Sequence, residues 1–338
     1  ETENGIRAEL PIQNLLTKDQ EYLLSLSVTT SENGTIGYYT RIKWTDNTNI
    51  QAMIDLAKTF SAKTFDYQEA SQLTMYLEPD ATADNSNLGE VSINCSFSQI
   101  TWGGLDVELG SRIEVSLKEL DGIMGQIELQ YLAIHQTEDG RTETYEVTDD
   151  FTLKWNEQRI FMMDFDRRVN EIFTGNRESL SGKRILLGIT RDSKISAKSS
   201  PNGNQIGFRT NRDLWLYDQE NRDLVSVFSF RSQENASKVE YDQHDIRVLQ
   251  VSDNGDVDFL VYGYMNRGRR EGQMGIGLYH YSDDSSALEE RFFAPFITTF
   301  EDLELDLDRL CYLSQGGMLY LMQDHAVYGI DLNSSEYI

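Results

Sequence analysis

A strand–turn–strand pattern recurs three times in the second half of the chain, at residues 206–218, 259–283 and 318–331. Each copy has an apolar segment, a polar turn and an aromatic-rich segment that closes near an Asp, as in IGFRTNRDLWLYD. A single hairpin cannot bury its apolar face in water, so it must pack on copies of itself or on another sheet. The repeat therefore predicts a layered β architecture for this half.

The turn that precedes the first copy has the sequence SPNG, at residues 200–203. Proline presets φ for a turn position and glycine allows a positive φ, so the segment is suited to a tight turn. With the strands at 206–208 and 214–218, it resembles the repeat of TolB-like (WD40-like, PD40) β-propellers, in which a Ser-Pro-Asp-Gly turn precedes two strands that close on Tyr-Asp. Asn202 stands where that pattern has Asp. The resemblance implies a propeller-like domain.

The other two copies, VSDNGDVDFLVYGY and LSQGGMLYLMQDHAVYGID, match the same pattern more loosely. The closing Asp residues fall at positions 218, 283 and 331, so the spacings are 65 and 48 residues. Propeller repeats typically span about 40–45 residues, and the first interval therefore needs an insertion. Three blades do not close a ring of about 4–8. We expect an incomplete or irregular propeller, a ring completed by other sequence, or hairpins packed in another layered way.

Residues 91–165 contain strand-like segments at intervals of about ten to fifteen residues, without helices between them. Ile113, Val115 and Leu117 alternate with polar residues, which is typical of a sheet with one wet face. Helical spacing of apolar residues predicts a helix near 49–60 and a second one at 165–173. The chain is thus predicted to be mainly β, with a β-rich, sandwich-like domain at 1–180 that carries one or two helices, and a propeller-like domain at 181–338. The acidic segment at 301–310 is predicted to be an edge or exposed strand with one wet face, and one helical turn is the alternative.

The formal net charge is −26, from 56 acidic and 30 basic residues. Nucleic-acid binding depends on Lys and Arg, and anionic lipid surfaces attract basic segments, so both partners are disfavoured. The one basic run contains Arg267, Arg269 and Arg270, and we interpret it as a solvated hairpin tip, with a polyanion or phosphate contact as the alternative. No apolar run approaches the ~18 residues of a membrane span, so we expect no membrane insertion by this segment.

The chain begins with ETENGIRAEL, without an initiating Met. This start suggests a trimmed product and favours an extracytoplasmic location, either secreted or anchored to the cell envelope. A trimmed cytoplasmic domain would look the same. Cys95 and Cys311 are 216 residues apart and form neither a disulfide framework nor a metal-ligand spacing.

The sequence contains no recognisable catalytic or cofactor motif. The HExxH, G-x-S-x-G and P-loop patterns are absent, and the four His residues are not paired at ligand spacing. We therefore expect no cofactor, and we favour a non-catalytic protein. Asp253, Asp256 and Asp258 in DNGDVD carry the oxygen ligands that a hard cation takes, but they lack the spacing of an EF-hand loop. They are the candidate metal ligands, with a tight turn as the simpler interpretation.

The leading hypothesis is a non-catalytic, extracytoplasmic binding module whose partner is another protein or a cell-surface glycan. The candidate ligand-binding residues lie at turns and aromatic tips of the repeats: Arg212, Trp215, Arg267, Arg269 and Tyr281. One alternative is a carbohydrate-active or other propeller enzyme, which would use Trp102, Trp155 or Trp215 for stacking. Another is the sensor ectodomain of a larger membrane protein.

Overall fold

The computed structural model describes residues 9, 11–12, 15–30, 34–46, 49–181, 184–192, 195–231, 243–332 and 336–337. The chain is mainly β, as predicted, and its strands form several antiparallel sheets. The first sheet is the hairpin of β1 (Glu21–Thr30) and β2 (Gly34–Lys43), which pair along their full lengths.

Helix α1 (Ile50–Lys63) confirms the helix predicted near 49–60. Its buried face carries Met53, Ala57 and Phe60, at spacings that bring them to one side of a helix. Two short helices, α2 (Tyr67–Ala70) and α3 (Phe97–Ile100), follow in the first half, and residues 71–76 form a 3-10 helix.

A single six-stranded antiparallel sheet dominates the first half. Its strands are β3 (Glu90–Ser92), β4 (Val107–Leu109), β5 (Glu114–Asp121), β6 (Met124–Gln136), β7 (Thr142–Trp155) and β8 (Ile160–Glu171). The order is β3-β8-β7-β6-β4, and β5 also pairs with β6. Helix α1, rather than the second layer of a β-sandwich, packs on one face of this sheet over β6 and β7.

The helix predicted at 165–173 is wrong, because these residues continue strand β8. Phe165, Arg167 and Val169 are buried in alternation with less buried neighbours, which is the period of a strand. Each residue from 160 to 171 lies within a strand that pairs with β7 along nearly its whole length. The apolar residues of this short segment fit both the period of a helix and that of a strand. The segment forms a strand because it pairs with the long neighbouring strand β7.

Two short paired strands, β9 (Leu180–Ser181) and β10 (Arg184–Ile185), precede three four-stranded sheets. In each sheet the strands pair in chain order, and we call the sheets the first, second and third meander. The first comprises β11 (Ala197–Ser199), β12 (Gln205–Thr210), β13 (Asp213–Asp218) and β14 (Asp223–Ser229). The second comprises β15 (His244–Val251), β16 (Val257–Tyr264), β17 (Met274–Ser282) and β18 (Ala287–Pro295). The third comprises β19 (Cys311–Leu313), β20 (Met318–Gln323), β21 (Ala326–Asp331) and β22 (Glu336–Tyr337).

The first turn of each meander has the same construction. The turns begin at Ser200, Ser252 and Ser314. In each, the glycine three positions later has a positive φ, of 78°, 89° and 80° along the chain. Its N–H donates to the carbonyl oxygen of the serine, at 2.9, 3.1 and 3.1 Å. The sequence kinship of the three copies is therefore matched by a shared local structure.

The meanders stack face to face, and apolar side chains fill the space between neighbours. Leu214 and Leu216 of the first meander share a core with Val257, Phe259 and other residues of the second. The outer face of the first meander is covered in part by Phe173, which packs against Trp215 with ring centroids 5.0 Å apart.

Helix α4 (Phe300–Arg309) joins the second and third meanders, so the edge strand predicted at 301–310 is wrong. Leu303 and Leu307 lie four positions apart, on one helical face, and are fully buried between these meanders. The Thr299 side chain accepts the backbone N–H of Asp302 at 3.1 Å and caps the helix. None of the described helices is long and apolar enough to cross a membrane.

The β1–β2 hairpin contacts both halves of the chain. The Lys43 ammonium donates to the carbonyl oxygen of Leu120 in β5 at 2.8 Å. On the same strand, the Tyr38 hydroxyl donates to Glu271 at 3.0 Å, although 233 positions separate them. Glu271 lies in the long connection between β16 and β17. The hairpin therefore links the six-stranded sheet to the second meander.

Candidate functional site

A cleft of about 410 Å³ lies between the six-stranded sheet and the meanders. One wall is the face of β6, β7 and β8 that turns away from α1. The pairing of these strands places lining residues, all polar except Leu132, side by side in two cross-strand rows. These rows are Gln130, Thr148 and Arg168, and Leu132, Glu146 and Asn170.

The opposite wall is formed by the β12–β13 turn, the start of β15 and the start of α4. At the turn, Asn211 and Arg212 have φ values of 41° and 65°, the left-handed pair that a two-residue hairpin requires. Asn is well suited to the first of these positions. This tight turn directs both side chains into the cleft lining.

Glu146 of β7 is the residue that joins the two walls. Its carboxylate accepts hydrogen bonds from the Asn211 amide at 2.8 Å and from Arg231 Nε at 3.0 Å. One guanidinium nitrogen of Arg212 lies 3.7 Å from the same carboxylate. Arg231 also pairs with Asp213, so a continuous ionic cluster crosses from β7 to the first meander.

Guanidinium groups are concentrated in the cleft. They belong to Arg168, Arg191, Arg209, Arg212 and Arg231. The carboxylates of the lining belong to Glu146, Asp192, Asp245 and Glu304. Five cations and four anions thus line the cleft, and Asp150 and Asp213 pair with Arg168 and Arg231 from beside it. Guanidinium groups held between low-dielectric walls attract ligands of the opposite, negative charge.

Burial changes the protonation of the carboxylates in and beside the cleft. Burial raises the pKa of Asp245, and the Arg209 guanidinium, 3.2 Å away, opposes the rise. Burial also raises the pKa of Glu304, with a further contribution from the charge of Asp245. Burial raises the pKa of Asp213 to about 6 despite its pairing with Arg231. Mild acid therefore makes the cleft more positive.

A buried ion pair supports the sheet from the face opposite the cleft. Arg167 and Asp149 are 1% and 0% exposed and form two hydrogen bonds, of 2.8 and 3.0 Å. The Tyr131 hydroxyl (2.9 Å) and the Ser61 hydroxyl (2.5 Å) also donate to Asp149. Because these partners come from α1, β6, β7 and β8, the network fixes the sheet that forms the cleft wall.

Of the five ligand-binding residues predicted from sequence, Arg212 lines the cleft. Trp215 is buried on the outer face of the first meander, against Phe173. Tyr281 is buried between the first two meanders. The Arg267 guanidinium donates to the carbonyl oxygen of Ser229. Arg269 is exposed in a 3-10 turn. The structure therefore disperses the five residues instead of gathering them at one site.

The three candidate metal ligands have protein partners in the turns of the first two meanders. Asp253 accepts the backbone N–H of Asn202 at 2.9 Å, and Asp256 accepts that of Asp283 at 3.0 Å. Asp258 contacts His280 Nδ1 at 2.8 Å. Among the described residues, no group of three or more His, Cys, Asp or Glu side chains is placed to hold a metal ion.

The tryptophans proposed for glycan stacking lie outside the cleft lining. Trp102 is buried, with the Arg167 guanidinium 4.7 Å from its ring centroid. Trp155 lines a separate depression near the end of β5, and Trp215 is buried beside Phe173.

Sequence reasoning missed most of the cleft, including Glu146, Arg209 and Arg231. In the sequence, these three residues are marked only as charged residues within or beside strand-like segments. Many exposed residues share that pattern, so it does not indicate a binding site. They meet because β7 approaches the first meander, which no local pattern specifies. No model of a known protein family matches the chain, and a search of curated protein sequences finds no match either.

Proposed function

We propose that the protein is a non-catalytic binding module that holds a small ligand with an anionic group in the cleft. The observation that carries this proposal is the group of five guanidinium groups around one cavity of a strongly acidic chain. The cavity volume of about 410 Å³ lies within the roughly 300–1,000 Å³ of small-molecule sites.

Arginine is suited to this role because its planar guanidinium binds carboxylate and phosphate groups through two parallel hydrogen bonds. The carboxylates of the cleft support the same function. Asp245 holds Arg209 and Asp213 holds Arg231, so these guanidinium groups are positioned before a ligand arrives. Arg191 is exposed, and Arg212 lies 3.7 Å from the Glu146 carboxylate and 3.4 Å from His244 Nε2. Both guanidinium groups line the cleft, where a bound anion would meet them.

We also propose that the three meanders are successive blades of a propeller-like β domain, and that the protein acts outside the cytoplasm. Support for the blades comes from the identical strand order and from the shared Ser-to-Gly turn. Propeller blades are four-stranded antiparallel sheets that pack face to face, as these do.

Binding is best tested with the full chain and three probes: succinate, inorganic phosphate and the neutral disaccharide maltose. We expect at least one anionic probe to raise the melting temperature and to bind with 1:1 stoichiometry by isothermal titration calorimetry. Arg212→Gln should weaken that binding about tenfold or more, because a hydrogen bond to a charged group contributes about 1.5–3 kcal/mol.

The matched control is Arg222→Gln, which removes the same charge from another positive-φ turn residue of the same meander, one that is exposed and outside the cleft lining. It should leave probe binding unchanged. Stabilisation by maltose alone, or equal losses in the two variants, would refute an anion site in the cleft.

A further inference from the structure

The charges that line the cleft are unevenly distributed. Three of the four lining carboxylates, those of Asp192, Asp245 and Glu304, are grouped with the single guanidinium of Arg209. Arg209 is 3.2 Å from Asp245 and 3.9 Å from Asp192. The charges of Asp245 and Arg209 also act on Glu304, where the first raises and the second lowers the pKa. We call these four residues the acidic half of the cleft.

The remaining guanidinium groups form what we call the basic half of the cleft. They belong to Arg168, Arg191, Arg212 and Arg231. The fourth lining carboxylate, Glu146, pairs with two of them, and Asp150 and Asp213 pair with two from beside the cleft. Even with these neighbours counted, four guanidinium groups meet three carboxylates. The basic half therefore retains an excess of positive charge, which suits the anionic group of a ligand.

The acidic half has the opposite imbalance, with three carboxylates around one guanidinium. Burial raises the pKa of Asp245 and of Glu304, and in each case a neighbouring carboxylate adds to the rise. Arg247, whose charge lowers the pKa of Glu304, is itself paired with Asp308. The Asp192 Oδ2 atom is closed off from solvent, and no described residue donates a hydrogen bond to it. This half therefore offers acceptors and negative charge to a ligand.

An ammonium group matches what the acidic half offers. It carries one positive charge and three N–H donors, and it needs no fixed set of ligands. A metal ion fits less well, because no three carboxylates among the described residues converge as metal ligands do. Phe300, one turn before Glu304 on α4, also lines the cleft and stacks on Tyr262 with ring centroids 5.9 Å apart. An aromatic ring beside the carboxylates is a further favourable contact for an organic cation.

We propose that the ligand of the cleft is a zwitterion, an amino acid or a related compound, whose carboxylate is bound by the basic half and whose ammonium group is bound by the acidic half. This inference rests on the proposed function, since it takes the guanidinium groups as the site of the ligand's anionic group. A lining of five guanidinium groups and four carboxylates is complementary to a ligand that carries both charges. A ligand with negative charge alone would leave the acidic half unmatched.

Isothermal titration calorimetry on the full chain tests the proposal with two pairs of probes that differ by one amino group. The pairs are succinate with L-aspartate, and butyrate with 4-aminobutyrate. We expect the amino member of at least one pair to bind about tenfold or more tightly than its partner, because its ammonium group adds hydrogen bonds to charged acceptors. Glu304→Gln should remove most of this preference without weakening the probe that lacks the amino group.

The matched control is Glu301→Gln, which removes the same charge one turn earlier on α4, at an exposed residue outside the cleft lining. It should keep the preference of the wild type. Circular dichroism and melting temperature establish that each variant is folded. If neither amino probe binds more tightly than its partner, the zwitterionic ligand is refuted, and the anion site stands or falls separately by the binding of succinate and phosphate. An equal loss of preference in the two variants also overturns the proposal.

Discussion

The Arg167–Asp149 pair is the most buried ionic interaction among the described residues. Removing two charges from water is costly, and the cost is offset only where the remaining hydrogen-bonding positions are also filled. Here they are filled: Arg167 donates to the Ile100 carbonyl and to the Thr64 hydroxyl, both at 3.1 Å, in addition to Asp149. Burial raises the pKa of Tyr131 well above its usual value, which keeps its hydroxyl a donor to Asp149.

Arg167→Met should lower the free energy of unfolding by about 3–5 kcal/mol, because the Asp149 carboxylate is left buried without its cation. Urea denaturation followed by circular dichroism measures the change. The neighbouring substitution Arg168→Met is the control. Arg168 and its partner Asp150 are both partly exposed, and the buried Glu128, 3.8 Å from Arg168, keeps Lys118 as a partner at 3.0 Å, so the loss of Arg168 should cost less than about 1 kcal/mol. The double variant Asp149→Leu/Arg167→Met should recover much of the lost stability, and a further loss would contradict this account.

Asp213 should make stability depend on pH. Burial raises its pKa to about 6 in the folded state, against about 3.9 in an unfolded chain. Between these values the folded state binds more protons, so stability increases as the pH falls from 7 to 4, by about 1–3 kcal/mol. The charges of Arg231 and Arg212 lower the pKa of Asp213, and the charge of Glu146 raises it. Urea denaturation at pH 7, 5 and 4 should show a smaller increase for Asp213→Asn than for the wild type. Parallel profiles would rule out Asp213 as the titrating group.

The repeated turns show how an element can be specified by a few residues. Each begins with a serine and places a glycine where φ is positive, so a short sequence motif defines the entry to a four-stranded sheet. Strand glycines serve a different purpose. At Gly263 in β16, φ is 108° and the backbone of Gln243 and His244 in and before β15 passes close by.

Replacing Gly203 and Gly263 by alanine should separate the cost of a positive φ from the cost of a steric clash. An added Cβ at Gly203 meets no atom within 4 Å, so Gly203→Ala should cost only the left-handed backbone penalty of about 1–2 kcal/mol. At Gly263 the Cβ would lie 2.4 Å from the Gln243 carbonyl oxygen and 2.7 Å from the His244 Cα. Gly263→Ala should therefore cost more than about 3 kcal/mol, since backbone atoms must move. Equal losses in chemical denaturation would contradict the steric explanation.

Elements were predictable from the sequence where one local signal dominated. The alternating strands, the turns and α1 were predicted because apolar period and turn chemistry agree there. At β8 and α4 the spacing of apolar residues indicates one structure and the chain adopts the other. The segment FDRRVNEIF permits helical spacing but pairs with β7, whereas EDLELDLDRL alternates like a strand and folds as a helix because Leu303 and Leu307 reach one buried site. Tertiary packing decides such short amphipathic segments.

In the whole molecule, the cleft depends on how the six-stranded sheet meets the first meander. Glu146 is the principal link. Its carboxylate accepts a hydrogen bond from Asn211 and forms ion pairs with Arg231 and Arg212 across the junction. Arg212 was predicted from the sequence to lie at a turn and to bind a ligand. The contact of that turn with β7, more than sixty residues earlier, could not be predicted. The site arises from an approach between distant segments that neither periodicity nor motif encodes.

Glu146→Gln should change stability and affinity in opposite directions. Losing the carboxylate weakens hydrogen bonds across the junction, so the free energy of unfolding should fall by about 1–3 kcal/mol. The same change removes the anion that competes with a ligand for Arg212 and Arg231, so affinity for the anionic probe should rise severalfold. Calorimetry and urea denaturation measure the two effects. Glu138→Gln, in the exposed β6–β7 turn, is the control and should alter neither. Reduced affinity in Glu146→Gln would show that the carboxylate itself contacts the ligand.

The link from Tyr38 to Glu271 has a consequence for the order of assembly on the ribosome. A chain emerges from its N-terminal end, and domains generally fold as units while synthesis continues. The β1–β2 hairpin is synthesised well before Glu271, the residue that its Tyr38 contacts 233 positions later. Isolated two-stranded hairpins are at best marginally stable in water. The hairpin must therefore remain without this contact until the β16–β17 connection has been synthesised, and molecular chaperones can bind it during that interval.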